Sequence, residues 1–579
     1  MYNTQRMLLA LLIYFFSTAL HAQINVTIEI HGVSKPVEDN IRLLLSIQQQ
    51  KDHLLMTEGR LLRLHKKSPE EIRKALQPFG YYRPVIESTL DQASPEVWQI
   101  RYDIDPGPPL LIAEFDFKLI GEIRDDEKFQ SFIQDPPLKK GDIFNHVVYE
   151  DLKSSLAKLA SMRGYFGARF IEHRVEIDLD AYEARIRLSY EGIARYHFGE
   201  VQLEQDVIEP ELLRRYIPFE RGDPYTLDQL IELQQALNDS DYFQTVEVSP
   251  GEPQPGSNEI PITVKLTPRK RHRFSIGLGF GTDTGARAKF NWEVPRVNTH
   301  GHRFDASTQV SQIGYRAVAN YRIPVLNPRT DQLIFTGGII NEDTDTSEST
   351  VRTIGASLKH RRGEWREVIS LNYQNEVYTV ANDSGDSNLL LPGISWSRIW
   401  GDNFIYAVDG LRFDLELRGA SNQVVSDADF FQQQAKLKFI TALNQQNRMI
   451  ARGTIGSTWT PDFDILPASI RYFTGGAQSV RGYAYQSLGP VDASGEVTGG
   501  KYLVVGSIEF EHSFKNKWGI AAFYDVGNAI NDISDDLYKG AGVGVRWKSP
   551  VGPVRIDLAS AISLEGNPWR VHITIGPDL

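Results

Sequence analysis

From Arg273 onward, apolar residues alternate with small or charged ones over and over. Phe274, Ile276, Leu278 and Phe280 alternate with Ser275, Gly277, Gly279 and Gly281. Leu411, Phe413, Leu415 and Leu417 alternate with Arg412, Asp414, Glu416 and Arg418, and Val554, Ile556 and Leu558 with Arg555, Asp557 and Ala559. A period of two gives a strand one apolar and one polar face. Roughly 16 such strands of about 8–12 residues can be drawn, the even count and length expected of a transmembrane barrel. A soluble multi-sheet sandwich also alternates, but it needs a facing layer for every apolar face.

Connection lengths support the barrel. Counting from Arg273, the odd connections read as long and polar: Asn341 to Asp345, Ala381 to Asp386, and Gly527 to Tyr538. The even ones read as shorter, for example Asn444 to Asn447, Lys515 to Lys517 and Ser549 to Pro553; Gly401 to Asp409 is an exception. Long loops on one side and short turns on the other are the outer-membrane pattern. The sixth odd connection, roughly Thr460 to Gly500, is the longest. A connection of that size is functional or disordered, and its glycines and aromatics argue against disorder.

That loop contains Gly475 to Tyr483, including Val480, Arg481, Gly482 and Tyr483, with no carboxylate beside Arg481. A buried guanidinium needs a partner from elsewhere. Downstream, two strand-like runs flank a tight turn near Lys517. Parity puts Ile508, Phe510, Tyr524 and Val526 on one face, and Glu509 (with Glu511) and Asp525 on the other, with Glu509 nearly opposite Asp525. Facing carboxylates repel unless a cation lies between them, and the planar fork of Arg481 can serve both. The competing reading is three ordinary solvated charges.

The first half, about Gln23 to Pro268, carries an imperfect repeat. Gly80-Tyr81-Tyr82, Gly164-Tyr165-Phe166 and Asp241-Tyr242-Phe243 each follow a helix-like stretch and precede a strand-like one. Gly141-Asp142-Ile143-Phe144 is echoed by Gly222-Asp223-Pro224-Tyr225. The spacing of about 80 residues is that of small domains. Three α+β units are expected, at 23–108, 109–194 and 195–268, with the barrel at 269–579. Residues 1–22 read as a signal peptide, with Arg6 before an apolar run and a small-residue end. The chain has no cysteine, which excludes disulfides and thiolate metal sites, and its net charge of −12 gives no support for nucleic-acid binding. No nucleophile–base or metal-ligand set stands out, so neither an enzyme nor a cofactor is expected. His300-Gly301-His302 reads as a hydrophilic turn, and Arg269 to Arg273 as the junction with the barrel.

Taken with the repeats and the barrel pattern, Gly475 to Tyr483, Phe523 to Gly527 and Gly544 to Pro553 make the chain similar to the outer-membrane assembly superfamily, and within it to the TamA branch. The resemblance covers essentially the whole mature chain. It implies three POTRA domains followed by a 16-stranded barrel, where the BamA relatives carry five such domains. It implies that Arg481 tips a loop folded back into the barrel, meeting Asp525 and Glu509 on the inner wall. It also implies a bacterial outer-membrane location with periplasmic N-terminal domains, and unfolded outer-membrane proteins such as autotransporters as clients. The expected partner is a TamB-like protein anchored in the inner membrane, bound at the first POTRA unit; a two-partner secretion transporter is the alternative. Barrel closure should pair Phe274 to Phe280 with a last strand near Trp569 to Ile575. Gly277 and Gly279 in the first strand, and Gly576 and Pro577 after the last, should leave that seam weak.

Overall fold

The computed structural model describes residues 24–51, 56–253, 256–403, 405–515, 517–550, 552–576 and 578. The expected signal peptide and Pro577 lie outside the described residues. Three three-stranded sheets come first. The first holds β1 (Asn25–His31), β2 (Val85–Ser94) and β3 (Val97–Asp105) in the order β1-β3-β2. The second holds β4 (Leu111–Ile120), β5 (Arg169–Asp178) and β6 (Glu183–Glu191) in the order β4-β6-β5. The third holds β7 (His197–Glu204), β8 (Phe243–Pro250) and β9 (Glu259–Pro268) in the order β7-β9-β8.

In the first two sheets the opening strand runs parallel to the central one. Parallel neighbours need a crossover, and helices supply it: Glu58–Leu76 in the first unit and His146–Met162 in the second. Val26, Ile28 and Ile30 point inward and pack with Ile41, Ile72, Ile100 and Tyr102. The echo at 80, 164 and 241 has a backbone cause. Gly80, Gly164 and Asp241 follow their helices with φ of +85°, +83° and +63°, the left-handed step that ends a helix. At Gly80 a β-carbon would also collide with the Phe144 carbonyl.

The large sheet has 16 antiparallel strands in sequence order. They are β10 (Arg273–Gly281), β11 (Gly285–Val294), β12 (Arg303–Ser311), β13 (Gly314–Pro324), β14 (Gln332–Asp343), β15 (Ser347–Arg362), β16 (Trp365–Val380) and β17 (Asp383–Gly401). The rest are β18 (Gly410–Ala420), β19 (Phe430–Ala442), β20 (Asn447–Trp459), β21 (Tyr502–Lys515), β22 (Trp518–Ile530), β23 (Tyr538–Ser549), β24 (Gly552–Ala561) and β25 (Trp569–Ile575). They form a nearly closed barrel whose outward side chains, such as Phe274, Ile276, Leu278, Ile508 and Tyr524, are exposed for lipid.

Two expected loops are largely strand. β14 runs to Asp343 with β15 starting at Ser347, and β17 begins at Asp383, so Asn341 to Asp345 and Ala381 to Asp386 belong mostly to a raised wall. Polar side chains pair across it: Asn341 donates to Thr350 at 3.0 Å, and Asn375 to Asp386 at 2.8 Å. Their polarity marks a solvated sheet rather than a break in one. Likewise β22 continues to Ile530, which shortens the loop expected from Gly527.

The first and last strands end the sheet. Among the described residues no ladder joins β10 to β25. The Ile573 N–H instead donates to the Thr282 hydroxyl at 3.2 Å, beside Gly281.

Candidate functional site

The connection from β20 to β21, residues 460–501, packs against the inner wall. Leu466 and Ile470 cluster with Leu389, Leu391 and Phe430, and Val480 and Tyr483 with Leu488 and Ala561. Arg471 braces the loop from within, donating to the carbonyls of Leu466 at 2.8 Å, Asp464 at 2.6 Å and Thr498 at 3.1 Å. Glu376 on β16 receives the Ser469 amide at 3.1 Å.

At the tip Arg481 is only 2% exposed. Its Nε and Nη2 donate to the two Asp525 oxygens at 2.7 and 2.9 Å, and its own amide reaches Asp525 at 3.1 Å. Nη1 donates to Glu509 at 2.7 Å and to Asp557 at 3.2 Å. The guanidinium lies 3.4 Å from the centroid of the Phe523 ring, which adds a cation–π contact. The bidentate match to Asp525 uses the fixed fork geometry that lysine lacks.

The tip fits only because glycines line its path. A β-carbon at Gly540 on β23 would collide with the Arg481 carbonyl. Gly482 has φ +100°, and a β-carbon there would come within 2.8 Å of the Ser560 backbone. Tyr483 reaches past them to the Lys539 carbonyl at 3.0 Å.

Sequence parity placed Glu509 and Asp525 on the inner face, and both are buried there. The expected register was wrong by two residues. Asp525 faces Ser507, and Glu509 faces Phe523: the turn closes with Lys515 opposite Trp518, one residue off the expected register, and the ladder shifts by one more between Lys515 and Ser513. A bulge adds a residue that turn-counting does not see. Arg481 therefore joins the two carboxylates diagonally. Glu511 is a step farther down the wall and bonds Arg546 at 2.9 Å and Arg448 at 2.6 Å.

A second hub was not foreseen. Arg546 on β23 donates to Glu509 at 2.7 Å and to Asp557 at 2.6 Å, so Glu509 and Asp557 each serve both arginines. Alternation put Asp557 on the charged face of its strand, but nothing local brings it or Arg546 to Arg481.

Gly277 and Gly279 lie in the β10–β11 ladder opposite Lys289 and Arg287. Gly576 follows β25 and its amide donates to the Pro553 carbonyl at 3.2 Å. His300 and His302 take separate partners, Glu209 and Tyr321, each at 2.8 Å. At the junction, Arg269 pairs with Asp241 at 3.1 Å.

The Omp85 superfamily domain model matches residues 270–577, more than half of the chain. The chain belongs to the Omp85 superfamily. A model for the first POTRA domain of TamA matches residues 27–106, and a POTRA model described as a surface antigen variable number repeat matches 196–269. This Omp85 chain is similar to two curated proteins named outer membrane protein assembly factor BamA. One, from Nitratidesulfovibrio vulgaris, is 22% identical over 61% of this chain and 46% of its own length. The other, from Neorickettsia risticii, is 20% identical over 75% of this chain and 61% of its own. The chain thus spans less than two thirds of either relative. Its fold is similar to the crystal structure of BamA from Haemophilus ducreyi lacking POTRA domains 1–3, with a TM-score of 0.68 at 16% identity, over 81% of this chain and 99% of that one. As an Omp85 barrel it is an outer-membrane protein, with its N-terminal POTRA domains on the periplasmic side.

Proposed function

We propose that this Omp85 protein inserts and folds other outer-membrane proteins, autotransporters among them, and does so at the junction of β10 and β25. The observation that carries this reading is that, among the described residues, no ladder joins those two strands while the other neighbouring strands of the barrel are paired. Unpaired strand edges are templates on which an incoming strand can add through main-chain hydrogen bonds, without a sequence code. Arg481, Asp525 and Glu509 act in this reading as the anchor that keeps β21 to β24 in register while the seam opens. No covalent chemistry is required, so the role is assembly rather than catalysis.

The TamA-type reading is supported by the match of residues 27–106 to the first POTRA domain of TamA and by the three small sheets. On this reading a TamB-like protein anchored in the inner membrane docks on the first POTRA unit. The test is a Thr282→Cys, Ile573→Cys pair in a chain that has no cysteine of its own. Reconstituted in liposomes, the oxidised variant should fail to assemble an autotransporter client, and reduction should restore assembly. Full assembly by the oxidised form would rule out the seam as the working site.

A further inference from the structure

The loop tip contacts more than one wall of the barrel. Asp283 belongs to the short outward turn between β10 and β11, and its Oδ2 accepts the Ala477 amide at 2.8 Å. A β-carbon at Gly476, where φ is +102°, would come within 2.8 Å of the same carboxylate. Five residues on, the Gly482 amide donates to Nε2 of His572 at 2.9 Å. His572 sits on β25, 1% exposed, in register with Asp557 on β24.

The hydrogen bond fixes the tautomer. A ring nitrogen that accepts an N–H carries no proton, so the imidazole proton is on Nδ1. That nitrogen has no hydrogen-bond partner among the described residues, and it lies 3.7 Å from Oδ1 of Asp283. The distance is too long for a hydrogen bond, yet it places the N–H dipole beside a carboxylate. Asp283 and His572 thus come from opposite banks of the seam, face each other, and each holds one end of the segment from Ala477 to Gly482.

We infer that the loop tip is a clasp across the outer end of the seam: Asp283 on the first-strand bank and His572 on the last-strand bank both grip it, so the seam cannot part there unless the tip lets go of one bank. Arg481, between the two grips, ties the same segment to β21, β22 and β24. Opening and loop release are therefore one event. The inference takes from the proposed function only the idea that the seam opens.

The test is hydrogen–deuterium exchange on the full-length protein in lipid nanodiscs, without client. His572→Phe removes the acceptor but keeps a ring, His572→Gln can still offer an oxygen to the Gly482 amide, and Asp283→Ala removes the other grip. His572→Phe and Asp283→Ala should each raise exchange at least tenfold in three places together: 273–281, 569–575 and 475–483. His572→Gln should restore part of the protection. Faster exchange confined to the strand or turn that carries the substitution would overturn the clasp. Asp283→Ala, in an outward turn, tests it even if His572→Phe does not fold. A variant that exchanges faster on both banks yet assembles client at the normal rate would keep the clasp and count against the seam as the working site of the proposed function.

Discussion

The barrel has a tall side and a short side. β15, β16 and β17 contain 16, 16 and 19 residues, whereas β10 contains 9 and β25 only 7. At roughly 3.3 Å per residue, the 7 residues of β25 span roughly 23 Å before any tilt, which is less than a typical hydrocarbon core of about 30 Å. The tall strands exceed that thickness and continue as solvated sheet. The two sides also differ in what holds them. On the tall side every strand is satisfied by ladders on both edges. On the short side the outer end is joined by side chains and a loop. On the proposed function, stability and function are thereby separated: the wall that must not slip is overbuilt, and the edge proposed to part has little to break.

Four substitutions break or sharpen this contrast. Proline at Ile354, in the middle of β15 and laddered to β14 and β16, should have the largest effect. It strands a backbone carbonyl in lipid at several kcal/mol, and no heat-modifiable barrel band should form on gels. Arg481→Ala should cost about 3–5 kcal/mol, since removing one partner leaves buried carboxylates uncompensated. Its denaturation midpoint should fall well below that of Arg481→Lys, which keeps the charge without the fork.

These two rank together because each acts on a feature that was legible to a different degree. The strands and their facing were readable: Ile508, Phe510 and Tyr524 outward, Glu509 and Asp525 inward, all from period two. The motif around Arg481 was readable as a buried cation in need of partners. Register was not, because the shift at Ser513 and Lys515 depends on how the turn closes. Nor were Arg546, Asp557, Asp283 and His572 readable as neighbours of the tip, since each arrives on a different strand or turn and only barrel curvature brings them together. The raised wall was misread because Asn, Thr and Ser signal loops in isolation, yet pair across strands once neighbours exist.

Gly540→Ala should come third, at about 1–3 kcal/mol, the usual cost of forcing atoms into a filled site. It should free the loop tip to trypsin while Gly453→Ala, which meets only the Val505 carbonyl at 3.9 Å, leaves cleavage unchanged. Smallest should be proline at Ile573. The Ile573 N–H points across the seam to Thr282 rather than into a ladder, so the loss should stay near 1 kcal/mol. Equal damage from proline at Ile354 and Ile573, read by the same gel assay, would abolish the distinction between the two sides.

Apart from Asp283, which precedes it, the partners that hold the tip follow it in the chain. Glu509, Asp525, Asp557 and His572 lie 28, 44, 76 and 90 residues after the loop residue that each binds. Contacts over such separations form late, because the intervening chain has to be ordered first. During its own biogenesis the loop therefore stays loose until the final strands are in place, and it locks in steps as each arrives. A seated Arg481 is then a completion signal: a protease that cuts the loop in half-built molecules and spares it in finished ones would read out, in time, how far the barrel has closed.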